Sequence, residues 1–252
     1  LAADLRWPEL STAALAGLLV TEVTARGKHL LVRFDNDWTL HSHLRMEGSW
    51  VVQPTDPAQP LPAISARSAV RAILVGPEWT ALGLRLGELD LVRSDEEHTL
   101  VGHLGPDVLD PAFEPGAAAS NLAASGTGIG AALLDQRNLA GVGTLWASES
   151  LFAEGLHPMT PGSQVTRRTW NRIWSDLTSL MPLGVRDGRI DTVRPEHGPD
   201  VTGRPPRVDR HGGEVYAYRR TGQPCLVCGR PISGQDFEAR NLFWCGRCQR
   251  RR

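Results

Sequence analysis

All four cysteines of this 252-residue chain lie in one stretch, "CLVCGRPISGQDFEARNLFWCGRC", with the spacing C-x2-C-x16-C-x2-C. Zinc prefers four thiolates in a tetrahedron, and two C-x2-C knuckles brought together by a short hairpin supply that geometry. Two disulfides or a redox pair would use the same residues. However, no basic-then-apolar secretory leader marks the chain for an oxidising compartment, and the knuckles come as a matched set. Cys225, Cys228, Cys245 and Cys248 are therefore the expected ligands of a structural zinc ion. The ligand set is closed, so the metal holds a small module together and leaves catalysis to other groups.

Upstream of the cysteines the chain changes its period twice. Residues 18–95 read as short strands. In "HLLVRFD", Leu30, Val32 and Phe34 alternate with Leu31, Arg33 and Asp35, and Leu82, Leu84 and Leu86 repeat the pattern. Several strands without helical interludes predict a sandwich or barrel. Residues 52–66, rich in Pro, Ala and Gln, predict a loop. Beyond "LGPDVLD" the period becomes helical: Trp170, Ile173, Trp174, Leu177, Leu180 and Met181 share one face, with Ser163 or Thr166 as cap. "VGTLWASESLFAEGLHP" predicts another helix, stopped at Gly155 with Pro158 just beyond. Residues 184–214 predict a mobile linker to the cysteine module. The longest apolar candidate, "AALAGLLV", is too short to cross a membrane, and the expected location is the cytoplasm.

Charge is unevenly divided. The formal net charge is −1, yet residues 203–252 hold eleven arginines against Asp209, Glu214, Asp236 and Glu238, a surplus of +7 that leaves −8 elsewhere. A guanidinium-rich face suits phosphate oxygens, although a solvated charged tail fits the same asymmetry. Among 27 Lys and Arg residues Lys28 is the only lysine. A lysine is a compact charge that can become a free amine when its pKa falls, which a guanidinium cannot. A solvated hairpin lysine is the plain alternative. Gly141 and Gly143 precede the "TLWASESLF" helix, where exposed amides attract an anion, or where the pair makes an ordinary helix–helix turn.

The stretch "LLDQRNLAGVGTLWASESLFAEGLHP" closely resembles the helix-two-turn-helix motif of the formamidopyrimidine-DNA glycosylase and endonuclease VIII family. "RGKHLL", "HSHLRMEG", "LGPDVLD", "YRRTGQPC" and "ARNLFWCGRCQ" extend the resemblance from residue 26 to residue 249. It implies an α+β chain in three parts. These are a β-sandwich domain over residues 1–105, a helical helix-two-turn-helix domain over 106–200, and a zinc finger over 201–252. It implies base excision and abasic-site cleavage on double-stranded DNA carrying oxidised bases or abasic sites, by a monomer working with the nucleoid. Such an enzyme extrudes its target nucleotide. Lys28 matches the family's essential hairpin lysine, which contacts the lesion nucleotide and its phosphate. Met46 matches the apolar wedge that fills the vacated stack. Arg240 matches the finger arginine that grips phosphates, and Arg137, Gly141, Gly143 and Thr144 are the expected contacts of the helical motif.

The chain departs from the family pattern in three places. Thr144 stands where an asparagine is usual, so a hydroxyl with shorter reach replaces an amide donor. No "RRFG" element follows the strands, and "LGPDVLD" is similar to the endonuclease VIII branch, which implies oxidised pyrimidines as the preferred lesions. Family members open on a Pro-Glu pair whose proline amine attacks the sugar C1′. The sequence opens "LAADLRWPEL", and the nitrogen of Pro8 is locked in an amide. The expectation is an N-terminally truncated chain without its nucleophile and without base excision in this form. A non-catalytic protein that binds DNA damage or abasic sites on the same scaffold is the alternative.

Overall fold

The alternating segments pair as antiparallel strands. The computed structural model describes residues 1–10, 15–58, 69–209, 213–237 and 240–250, apart from the side chains of Phe237 and Arg240. Among these the chain divides into two compact units, Leu1–His103 and Leu104–Arg252.

The first unit holds eight strands: β1 (Ala2–Leu5), β2 (Val20–Arg26), β3 (His29–Phe34), β4 (Trp38–His43), β5 (Ser49–Pro54), β6 (Val70–Val75), β7 (Trp79–Leu84) and β8 (Glu88–Arg93). They form two four-stranded sheets, ordered β1-β6-β7-β5 and β2-β3-β4-β8. One apolar core draws Leu5, Ala72 and Leu74 from the first sheet and Val32, Phe34, Leu40 and Leu89 from the second, which makes the unit a sandwich. The alternation expected for β3 is kept, with Leu30, Val32 and Phe34 on the core side. In β7 the pattern breaks. Leu82 and Leu84 cover a smaller cluster with Val70 and Ile73, while Leu86 reaches the main core. The intervening Arg85 has φ 45°, a left-handed kink that changes the face on which the next residue lies. The loop expected over residues 52–66 starts later than its composition suggested, because β5 runs through Pro54. That proline is tolerated on an edge strand, where no ladder partner is lost. Residues 59–66 of that loop lie outside the described residues. The unit closes with the single-turn helix α1 (His98–Val101).

The second unit contains α2 (Pro115–Ala124), α3 (Ile129–Leu134), α4 (Thr144–Ala153), α5 (Arg167–Asp187), the short α6 (Pro199–Thr202), and the antiparallel hairpin β9 (Ile232–Phe237) and β10 (Arg240–Cys245). The Thr166 hydroxyl caps α5, accepting from the Thr169 amide at 3.3 Å, and Gly188 ends the helix at φ 61°. Its buried face is Trp170, Ile173, Trp174, Leu177 and Met181, each contributing about 1.5–3 kcal/mol of apolar burial. Leu242 of β10 inserts into the same core, so the hairpin is packed onto the helices. Residues 184–209 do more than link. α5 continues through Asp187, and the Thr192 and Val193 amides both donate to the Glu214 carbonyl. None of the helices among the described residues is long and apolar enough to cross a membrane.

Candidate functional site

The β2–β3 turn is as short as a hairpin allows. Arg26 pairs with His29, leaving Gly27 and Lys28 as the loop, and Gly27 takes φ 59° as such tight turns require. Lys28 is exposed at the tip. Register carries this end of the sheet onward, since His29 lies opposite His43 and His43 opposite Glu88. The turn after β4 therefore leaves from the same end, and it bears Met46, whose surface is 85% exposed. An apolar side chain so exposed does not serve the core. The turn is closed by Gly48, whose amide donates to the Leu44 carbonyl at 2.9 Å; a Cβ there would come within 2.5 Å of that oxygen.

A polar stripe lies on one face of this sheet. His41, which is buried, sets Nδ1 2.8 Å from Asp90 Oδ2 and Nε2 2.8 Å from His29 Nδ1. The His29 and His41 rings stack at 5.0 Å, and Arg45 pairs with Glu88. Burial, reinforced by the neighbouring His43 and His41, lowers His29 to about 4. Burial, with the charges of Arg45 and Lys28, lowers His43 to about 4 as well. Both imidazoles are neutral at physiological pH, so they add no charge to that of Lys28 and Arg45.

In the second unit Gly141 adopts φ 86°, and its amide donates to Gln136 Oε1 at 3.0 Å. Gln136 also donates to the Leu134 and Val142 carbonyls, which stitches the turn shut. Gly143 is the N-cap of α4 and Thr144 its first residue. That helix start has no capping side chain and no acid in its first turn, so no side chain of its own first turn offsets the partial positive charge of its amides. Arg137 is exposed and paired with Asp135 at 2.7 Å. The backbone of Arg240 opens β10, and its side chain lies outside the described residues. A cavity of about 520 Å3, lined by Asp176, Arg194, His197 and Tyr216 among others, involves none of the predicted phosphate contacts.

The cysteines converge as two knuckles. Cys225 and Cys248 sulfurs lie 3.9 Å apart and those of Cys228 and Cys245 3.4 Å apart, with all four within 4.8 Å of one another. These separations exceed a disulfide bond and match four sulfurs around one ion. Burial pushes the thiols of Cys225 and Cys248 up, whereas amide and thiol hydrogen bonds overcome burial at Cys228 and bring it down to about 7. Four thiolates in this space need a dication, and a zinc ion fits the donor set. Gln249 fixes the second knuckle, accepting from the Cys245 amide and donating to the Leu156 carbonyl, each at 2.8 Å.

Three stretches match family models: residues 1–72 the formamidopyrimidine-DNA glycosylase N-terminal domain, 104–194 its H2TH domain, and 222–251 the zinc finger found in FPG and IleRS. The probable endonuclease 8 2 of Streptomyces coelicolor is 38% identical over 251 residues, spanning 98% of this chain and 84% of that protein. This chain belongs to the formamidopyrimidine-DNA glycosylase and endonuclease VIII family. Endonuclease 8 1 of Mycobacterium tuberculosis is 36% identical over 241 residues, 95% of this chain and 87% of its own. The MutM (Fpg) structure from Thermus thermophilus superposes with a TM-score of 0.69 at 26% identity, covering 92% of this chain and 84% of that one. Lactococcus lactis Fpg in complex with abasic-site DNA has the same fold, with a TM-score of 0.74 at 20% identity and coverage of 99% and 92%.

Two features of this family member escaped the sequence reading. The histidine stripe had a signal in "HSH", since alternate residues of a strand share a face, but His29 joins it only through cross-strand register. Glu149, 4% exposed in α4, accepts from the Tyr216, Ala217 and Tyr218 amides at 2.7–2.8 Å and from the Thr192 hydroxyl at 2.6 Å. An acid amid "WASESLF" on a helix buried along most of its length was the signal there.

Proposed function

We propose that this protein is a base-excision-repair DNA glycosylase and abasic-site lyase that acts on oxidised bases in double-stranded DNA, with oxidised pyrimidines preferred. The observation that carries the reading is the near-complete match to relatives named endonuclease 8, together with an exposed lysine and an exposed methionine at one end of a single sheet. A further relative, 33% identical over 253 residues, is named DNA-(apurinic or apyrimidinic site) lyase Nei2. Residues 1–105 carry Lys28 and Met46. Residues 106–200 offer Arg137 and the amides of Gly141, Gly143 and Thr144, and residues 201–252 add Arg240.

The chemistry asks each group for one task. Extruding a nucleotide costs stacking energy, which Met46 offsets by occupying the vacated space without needing hydrogen bonds. Lys28 holds the lesion nucleotide and its phosphate through a compact charge whose neighbours, His29 and His43, are neutral. The uncapped start of α4, Arg137 and Arg240 neutralise flanking phosphates and fix the register of the duplex. Zinc, when bound, supplies structure to the module bearing Arg240. The protein works as a monomer in the cytoplasm, on the nucleoid.

The test is excision and nicking of a duplex with one oxidised pyrimidine by the complete gene product, beside duplexes carrying oxidised guanine or a preformed abasic site. Nicking of the oxidised-pyrimidine duplex ahead of the oxidised-guanine one is expected. Tight abasic-site binding without excision of either base would replace the enzyme with a damage-binding protein.

A further inference from the structure

The histidine stripe beside Lys28 is used neither by the zinc finger nor by the DNA contacts. The Asp90 carboxylate only accepts, so the single proton of a neutral His41 sits on Nδ1 and its Nε2 is a lone pair. The proton between the two rings then belongs to Nδ1 of His29, leaving Nε2 of His29 a second lone pair with no hydrogen-bond partner among the described residues. Glu88 lies two residues before Asp90 on β8 and so on the same face. One donor atom each from His29, His41 and Glu88 fall within 4.8 Å of one another.

Two imidazole nitrogens and a carboxylate are a donor set of borderline divalent cations, and Asp90 holds the remote nitrogen of His41 as outer-shell carboxylates do in such sites. We propose that His29, His41 and Glu88 form a second metal site, for a divalent transition cation of the zinc class, independent of the four cysteines. Loading moves one proton within His29, from Nδ1 to Nε2, when Nδ1 becomes the ligand, so no proton need leave. The two nitrogens, 2.8 Å apart as a hydrogen-bonded pair, separate by about 0.5 Å to span an ion with ligands at ~2.0–2.1 Å. Glu88 exchanges its ion pair with Arg45 for the metal, so Arg45 is the site's internal competitor.

The experiment titrates the full chain, its cysteine zinc in place, with Co2+, reading calorimetry and visible absorption together, with circular dichroism checking the fold of every variant. One Co2+ per chain beyond the zinc is expected, with micromolar affinity and no thiolate charge-transfer bands. His29→Gln and Glu88→Gln should each weaken it at least ~10-fold. Asp90→Asn, which keeps all three ligands, should weaken it about 10–100-fold. Arg45→Gln should tighten it, because Glu88 loses its competing partner. The proposal is overturned if the folded wild type takes up no saturable second ion, if thiolate bands show zinc displacement instead, or if His29→Gln and Asp90→Asn both bind as the wild type does.

Discussion

At the scale of single residues, Lys28 carries the charge that the proposed function asks for. It sits exposed on a two-residue turn whose backbone demand falls on Gly27. Lys28→Arg keeps a charge but spreads it over a planar fork. We expect that variant to lose about 10²-fold or more in single-turnover excision by the complete gene product, with its unfolding free energy within ~0.5 kcal/mol of wild type by urea titration. Near-normal excision would mean that charge alone suffices at this position. Lys28 was legible in the sequence because it is compositionally alone, and Met46 because its motif is distinctive. Arg137 was legible only by motif, and its pairing with Asp135, two residues away, could not be read from periodicity. The roles of His41 and Asp90 depend on cross-strand register, which no local pattern encodes.

At the scale of elements, two buried or half-buried carboxylates hold strands and helices together, and each makes a prediction. Glu149→Gln replaces an acceptor oxygen by an NH2 group among three amides and a hydroxyl that all donate. That should cost about 2–4 kcal/mol in the stability of the helical unit, measured by urea unfolding. In the sandwich, Glu97 is held below its ordinary carboxylate range by two Arg33 hydrogen bonds of 2.7 Å, which prevail over burial, and by the Thr39 hydroxyl at 2.6 Å. A depressed folded-state pKa gives stability that is complete above the unfolded carboxylate value and lost as pH falls through the folded one. The stability gap between wild type and Glu97→Gln should therefore be full at neutral pH, shrink from about pH 4 downward and close in stronger acid. Urea titrations across that range measure it, and a gap that widened in acid would reverse the assigned sign. The elements themselves were largely readable: the β3 alternation, the α5 face and its Thr166 cap stand as the period predicted. What escaped, such as the β5 extension through Pro54 and the kink at Arg85, depends on which strand is an edge and where φ turns positive.

At the scale of the whole molecule, the sandwich and the finger differ in what stabilises them. The sandwich has a continuous apolar core, whereas the finger gathers only a small cluster around Tyr216, Phe243 and the cysteines themselves. Chelating the zinc should therefore unfold the residues around β9 and β10, abolish binding to abasic-site DNA and leave amide-exchange protection in β3 and β4 intact. Unchanged DNA binding by metal-free protein would remove the finger from the interface. The exposed hairpin tip has a last consequence for how this protein can be watched. With a single side-chain amine in 252 residues, reductive methylation with a 13C-labelled reagent marks Lys28 and, besides it, only the chain's own α-amino group. One resolved methyl resonance would then report, without any substitution, the electrostatic state of the proposed lesion pocket as DNA or a cation arrives.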